Sequence, residues 1–307
     1  MTTSLLIAQL LNGLQYGVLL FLLAAGLTLV FGIMSFVNLA HGSLYMLGAY
    51  AFAVVGTNTD SFLLGVLAAV VTGVVVGFVL EKVTVSKLYQ RDHLDHVLAT
   101  FGLVMFFNEV VRMIWGPQAL FVSLPDSLSG TIEILGFSYP TYRFLIIAVG
   151  LLVAVGSQWL IHKTRVGMLI RAGSVNPSMV GALGVNIQFL NAMLFVLGAA
   201  LAALAGAMAG PILSVQSGMG EPVLITTLVV IVIGGIGSVH GALYASLIVG
   251  VADTLGRSYL PMLLRQIADR DVANAAGPAL ASMLIYMLMA IILVVRPQGL
   301  FPAHKDK

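Results

Sequence analysis

The stretch FGIMSFVNLAHGSLYMLGAY, Phe31 to Tyr50, breaks a long apolar run with two polar side chains and a glycine. Asn38 and His41 stand three residues apart, and Gly42 follows. They do so in a chain of 307 residues that is 60% hydrophobic and 8% charged, with a mean hydropathy of +1.06. About a quarter of an ordinary globular chain is charged, so this one cannot clothe itself in polar groups, and lipid must be its solvent. A polar group left without a partner in hydrocarbon costs several kcal/mol. Asn38 and His41 must therefore face protein, water or the membrane interface. On a helix, residues three apart share a face and could bond one neighbouring helix. Asn38 could equally cap a helix beginning near Gly42. Two readings stay open: a capped helix break with a satisfied histidine, or a lining or gating element of a path through the membrane.

Working outward, a crossing takes ~20 apolar residues. Apolar runs fall at about 5–34, 42–56, 62–82, 97–115, 141–161, 188–213, 223–237, 242–256 and 278–296. This predicts an all-α, polytopic membrane protein, a single domain over 1–307 with about 8–10 transmembrane or re-entrant helices. The second, seventh and eighth runs are short, which marks broken or re-entrant segments. The N-terminal MTTSLLIAQLLNG lacks the basic residues of a signal peptide and is read as the start of a retained helix. A net charge of +2 is too small to imply nucleic acid binding, and zero cysteines exclude disulfides and thiolate chemistry. The other histidines noted, His93, His96, His162 and His304, are read as loop or tail residues, with no metal-ligand spacing among them.

Lys and Arg in short loops set orientation. Lys82, Lys87 and Arg91 in 81–96, Lys163, Arg165 and Arg171 in 162–187, and Arg296, Lys305 and Lys307 at the C-terminus mark three cytoplasmic segments. Segment 116–140 has Asp126 and Glu133 but no basic residue, and 214–222 has only Glu221, so both are expected outside. Segment 257–277 is mixed in charge and falls outside by parity, as does the N-terminus.

A second stretch, GGIGSVHGALYASLIVG from Gly234 to Gly250, echoes the first. Gly32-Ile33-Met34-Ser35 parallels Gly235-Ile236-Gly237-Ser238, and His41-Gly42-Ser43-Leu44-Tyr45 parallels His240-Gly241-Ala242-Leu243-Tyr244. Corresponding interruptions in two halves are the sequence signature of a transport pathway built on broken helices. Parity puts both copies on one side, hence a parallel repeat, or an inverted one if a single re-entrant segment is miscounted; chance similarity between glycine-rich helices is the alternative.

NLAHGSLYMLGAY and GGIGSVHGA, with Gly26 to Gly32 (GLTLVFG) and the terminal RPQGLF of Arg296 to Phe301, resemble the LivH-type permease subunits of bacterial branched-chain amino acid ABC transporters. That wider family includes urea and short-amide permeases. The resemblance covers nearly the whole chain. It implies a multi-pass subunit of the bacterial cytoplasmic (inner) membrane with its C-terminus (297–307) inside. It implies as partners a second, LivM-like permease subunit, two ATPase subunits and a periplasmic solute-binding protein. Asn38, His41, Gly42, Gly234, Gly235, Gly237 and Ser238 would then form gate elements, and Asn12, Gln15, Asn38 and Thr226 are candidates to meet the two ends of a zwitterionic amino acid.

In the basic loop 162–187, RAGSVNPSMVGALGVN (Arg171 to Asn186) carries Asn176-Pro177, a helix start, and Gly184 and Asn186, read as stops. A short helix lying flat at the membrane surface is expected, either as an ordinary connection or, by resemblance, as a coupling helix docked on an ATPase through Arg171, Ala172, Asn176, Gly181, Gly184 and Asn186. Val180 stands where the family usually has Ala. The chain has no Gly-Lys-Ser/Thr phosphate loop; its one Lys-Thr pair, Lys163-Thr164, follows His162. No cofactor is expected on this chain, and ATP with Mg would be used by partner subunits.

Charges within the spans come in pairs. Glu109 with Arg112, and Asp253 with Arg257, are read as ion pairs near span ends, so no lone carboxylate at a span's centre suggests a proton-coupled carrier. GAALAALAGAMAG, Gly198 to Gly210, predicts close helix packing. An importer subunit for branched-chain amino acids, one for urea or an amide, and a stand-alone channel or carrier remain the alternatives.

Overall fold

The computed structural model describes residues 3–34, 36–89, 91–134, 137–266 and 269–301. Helices α1 (Thr3–Met34), α2 (His41–Thr59) and α3 (Phe62–Leu80) come first; α3 runs on through a π-helical turn, Glu81–Val85, into the short α4 (Ser86–Leu88). Then follow α5 (His93–Trp115), a one-turn α6 (Asp126–Ser129) and a hairpin of β1 (Thr131–Ile134) and β2 (Phe137–Pro140). Next are α7 (Thr141–Lys163), α8 (Arg165–Val175), α9 (Pro177–Ala182) and α10 (Ile187–Ala209). The last are α11 (Gly220–Gly234), α12 (Val239–Leu264) and α13 (Arg270–Val295).

Among the described residues, seven helices are long and apolar enough to cross a membrane: α1, α3 with α4, α5, α7, α10, α12 and α13. With α2 and the 15-residue α11, this is the all-α, polytopic bundle that composition predicts. The short second and seventh runs match α2 and α11. The eighth does not: α12 is 26 residues long and a full span, because the helix continues past Arg257 and Ser258 to Leu264. The histidine assignments also change. His93 and His96 open α5 and His162 lies in the last turn of α7; His304 lies outside the described residues, as do Ser35, Lys305 and Lys307.

Helix α1 is the axis. Its apolar window is 83% buried, against 11% for α13, which therefore turns most of its surface outward. α12 packs along α1 antiparallel: Gly13 lies against Gly250 and Val251, Gly17 against Ser246 and Leu247, and Gly32 against Gly237. On the other side α10 supplies the small residues. Gly198 meets Gly26 of α1, Ala203 meets Gly48 of α2, and Ala199 and Ala203 meet Gly73 of α3. Missing side chains let these backbones approach closely, which is how apolar helices associate in lipid.

Polar caps set the breaks. Ser61, Thr164, Asn176, Asn186 and Ser238 each accept a hydrogen bond from a backbone N–H two or three residues into the helix that follows. Asp60, at φ 50°, turns α2 into α3. The antiparallel α1 and α12 place the breaks after Met34 and Gly234 at the same end of the bundle as each other. That end also carries the π turn with Lys82 and the α8–α9 segment with Arg171. There Tyr89 donates to buried Glu81 (2.8 Å), and His96 bonds the Leu88 carbonyl (2.8 Å). Burial first, then the Glu81 carboxylate, pushes the Tyr89 hydroxyl up, so it remains a donor.

Candidate functional site

The chain from Phe36 to Ala40 turns back into the bundle before α2 begins. His41 shows the depth: its Nε2 lies 3.2 Å from the carbonyl oxygen of Leu23, eleven residues before the end of α1. His41 and Asn38 are 1% and 2% exposed. Asn38 does not cap α2. Ala40 holds the cap position without a side-chain bond, and neither Asn38 Oδ1 nor Nδ2 has a hydrogen-bond partner among the described residues. Nor do Asn38 and His41 share a helix face, since Asn38 lies in the connecting segment.

Gly42 and its counterpart in the echo have a common target. A β-carbon on Gly42 would stand 2.7 Å from the carbonyl oxygen of Gly220, the first residue of α11. A β-carbon on Gly234, the last residue of α11, would stand 2.5 Å from the carbonyl of Gly241. The two His-Gly motifs thus hold the two ends of one short helix. Gly32 joins the breaks to each other, since its β-carbon would lie 2.7 Å from the Cα of Gly237. Gly235 and Gly237 turn the chain at φ 102° and 80°, and Ser238 caps α12 by accepting from Gly241 N–H at 3.0 Å.

RPQGLF closes this region. The backbone N–H groups of Leu300 and Phe301 donate to the carbonyls of Ile233 (2.8 Å) and Gly234 (3.0 Å), pairing two carbonyls that α11 leaves open at its C-terminus. Gly299, at φ 83°, lets the segment press against Gly235, and the Phe301 ring packs on Tyr244 with centroids 5.2 Å apart.

Of the other polar candidates, Asn12 accepts from Arg143 of α7 and donates to Gln9 (3.3 Å). Gln15 is buried at 5% exposure. Thr226, on α11, bonds the Pro222 carbonyl (3.1 Å) and faces Tyr16 of α1. Among the described residues no hydrogen bond joins Asn12, Gln15, Asn38 and Thr226 to one another. Tyr16 of α1 comes within electrostatic reach of Asp253 and Arg257 of α12. Arg257 Nε meets both oxygens of Asp253 at 2.8 and 2.9 Å. Fourteen residues of α12 precede Asp253 and eleven follow, and with Gly13 of α1 against Gly250 and Val251 the pair lies toward the N-terminal turns of α1. The apolar run ended at Gly256 only because Arg257 and Ser258 are polar, which hid the continuation of α12 to Leu264. Glu109 and Arg112 do lie near the end of α5, exposed and 3.4 Å apart.

At the basic end, Asn176 caps α9 by accepting from Met179 N–H at 3.0 Å, and Pro177 takes its first position. Gly184, at φ 88°, ends it. Asn186 is not a stop; it caps α10, accepting from Phe189 N–H at 3.0 Å. Arg171 is committed to its own chain, donating to the Ile161 carbonyl near the end of α7. Ala172 and Gly181 are exposed. Val180 is buried, so its extra bulk points inward rather than at a partner. Asn176, Gly184 and Asn186 are exposed as well, and Val175, Met179 and Leu183 add apolar surface beside them at 67%, 64% and 77% exposure.

A bundle of apolar helices with two broken segments clasping a short central helix, and an apolar knob at one end, defines a polytopic membrane permease. The chain belongs to the family described as branched-chain amino acid transport system / permease component, whose model matches residues 9–293. It is 30% identical over 305 residues to the high-affinity branched-chain amino acid transport system permease protein BraD of Pseudomonas aeruginosa, covering 95% of this chain and 94% of that one. It is 29% identical over 313 residues to LivH of Escherichia coli, with the same coverage. The probable branched-chain amino acid transport permease protein LivH of Methanocaldococcus jannaschii is 28% identical over 258 residues, 80% of this chain and 79% of that one.

Proposed function

We propose that this chain is the permease subunit of a binding-protein-dependent ABC importer of leucine, isoleucine and valine. The observation that carries this is the family match over residues 9–293, with relatives named for branched-chain amino acids along 95% of the chain. Those relatives give no support to urea or an amide as solute. The subunit works with a second, LivM-like permease subunit, two cytoplasmic ATPase subunits that use ATP and Mg, and a periplasmic solute-binding protein. It resides in the inner membrane, with the basic end and the C-terminus in the cytoplasm, as the loop charges favour.

In this reading the ATPase groove receives Val175, Met179 and Leu183. A push on α9 reaches α10 through the Asn186 cap, and α10 bears on α2 at Gly48 and Gly206. α2 starts against α11, at Gly42 and Gly220. Alternating access is then a shift of α11 between its glycine contacts, with Asn38 and His41 beside the moving part. The test is genetic. A strain lacking this chain loses high-affinity uptake of labelled leucine, and the wild-type sequence restores it. Unchanged leucine uptake with loss of urea uptake would replace the solute and keep the architecture.

A further inference from the structure

The end of the bundle away from the basic residues carries a cleft of about 410 Å³ between the end of α2 and the segment that follows α5. It lies at the start of α3, about 27 Å of helix from the π turn at the other end. Its floor is aromatic: Phe52 of α2 and Phe62 of α3 meet edge to face, with centroids 5.4 Å apart. Its rim is acidic. Asp60, between α2 and α3, and Asp126, at the start of α6, line it and are exposed. Neither carboxylate has a hydrogen bond or an ion pair among the described residues. No Lys or Arg lines the cleft, and segment 116–140 contains none. Phe121 stands at the rim, 83% exposed.

The lining selects its occupant by charge. A free amino acid would bring its α-carboxylate against Asp60 and Asp126 with no cation to meet it, and a phospholipid headgroup would bring a phosphate. A Lys or Arg side chain fits in both of its parts: the charged end forms charge-assisted hydrogen bonds with the carboxylates, and the methylene stem lies along Phe52 and Phe62. Exposed aromatic residues such as Phe121 are enriched at protein interfaces. We infer that this cleft is the docking point of the solute-binding protein, which inserts a Lys or Arg side chain against Asp60 and Asp126 and seats an apolar residue on Phe121. The cleft is also tied to the inside of the bundle. Leu120, next to Phe121, exchanges two backbone hydrogen bonds with buried Val215 (2.8 and 2.9 Å), and the chain runs from there into α11 at Gly220. A partner seated on Phe121 therefore bears on the segment that leads into the helix proposed to shift. This rests on the importer reading and on its sidedness.

The test uses the complete transport complex in proteoliposomes and the purified binding protein loaded with leucine. The readout is the concentration of binding protein that half-maximally stimulates ATP hydrolysis, at low and high salt. Asp60→Asn with Asp126→Asn keeps both side-chain shapes, and Asn tolerates the positive φ of Asp60. It is expected to raise that concentration tenfold or more at low salt, with little change in the maximal rate, and to flatten its dependence on salt. Glu109→Gln with Arg112→Gln, near the same end of the bundle but outside the cleft, is expected to keep the wild-type value. If the aspartate variant fails to assemble, Phe121→Ser, at an exposed position, decides; a fivefold or greater rise is expected. A wild-type half-saturating concentration in the assembled aspartate variant, or in Phe121→Ser, overturns the docking point. Loss of the second permease subunit from the purified aspartate variant would place that subunit at the cleft instead and overturn it too. If leucine-loaded binding protein does not stimulate the wild-type complex, the importer reading fails rather than this docking point alone.

Discussion

Gly220 offers the sharpest test at the scale of the single residue, because it touches Gly42 backbone to backbone. Any side chain there must push α2 off α11. Gly220→Ala is expected to destabilise the purified subunit by about 1–3 kcal/mol, the range for overpacking a tight contact, read as a lowered midpoint of thermal unfolding. Gly102 and Gly156 have nothing within 4 Å of where a β-carbon would stand. Alanine at either is expected to leave the midpoint unchanged or raise it, by up to ~1 kcal/mol from helix propensity. A similar loss at all three positions would remove the glycine contact from the account. Residue identity alone revealed that small residues pack these helices. It did not reveal which glycines meet, since that depends on the chain folding back after Met34. Asn38 was ambiguous for the same reason: in sequence it reads as a cap for α2, but the re-entry carries it away from the helix start.

Among the elements, α9 and the C-terminal segment have separable roles. Gly184 is a poor probe of docking, because at φ 88° any side chain is strained whether or not a partner is present. Met179 and Leu183 are better probes, being exposed and unstrained. Met179→Asp with Leu183→Asp is expected to leave the subunit folded and to abolish co-purification of the ATPase subunits; retained ATPase with full uptake would move the coupling surface elsewhere. Ending the chain at Arg296 removes the hydrogen bonds from Leu300 and Phe301, at about 1 kcal/mol each, and the Phe301–Tyr244 contact. Unfolding by a calorimetric or dye-based scan should detect that loss, and an unchanged midpoint would show that the segment does not brace α11. The start of α9 was legible in Asn176-Pro177, a local signal. The bracing by RPQGLF was not, because it joins segments more than sixty residues apart. The length of α12 was missed because a run of apolar letters ends where Arg257 begins, whereas the helix does not.

For the whole molecule, composition settled the solvent and the fold class, since nothing in 8% charge could cover a soluble surface. The proposed sidedness rests on Lys82, Lys87, Arg91, Lys163, Arg165 and Arg171 at one end of the bundle, and it is directly testable because the chain has no cysteine of its own. Single cysteines placed at Lys87 and at Ser123 are expected to differ in intact cells. A membrane-impermeant maleimide should label position 123 at once and position 87 only after permeabilisation; the reverse order would invert the topology. The claim that joins these parts is that separate ATPases drive this subunit to carry branched-chain amino acids. The measurement that reaches it most directly is uptake of labelled leucine into proteoliposomes holding the complete complex and its binding protein, with and without ATP and Mg. Uptake that requires ATP and is competed by valine but not by urea is the expected result. Leucine uptake by this chain alone, without ATP, would contradict it.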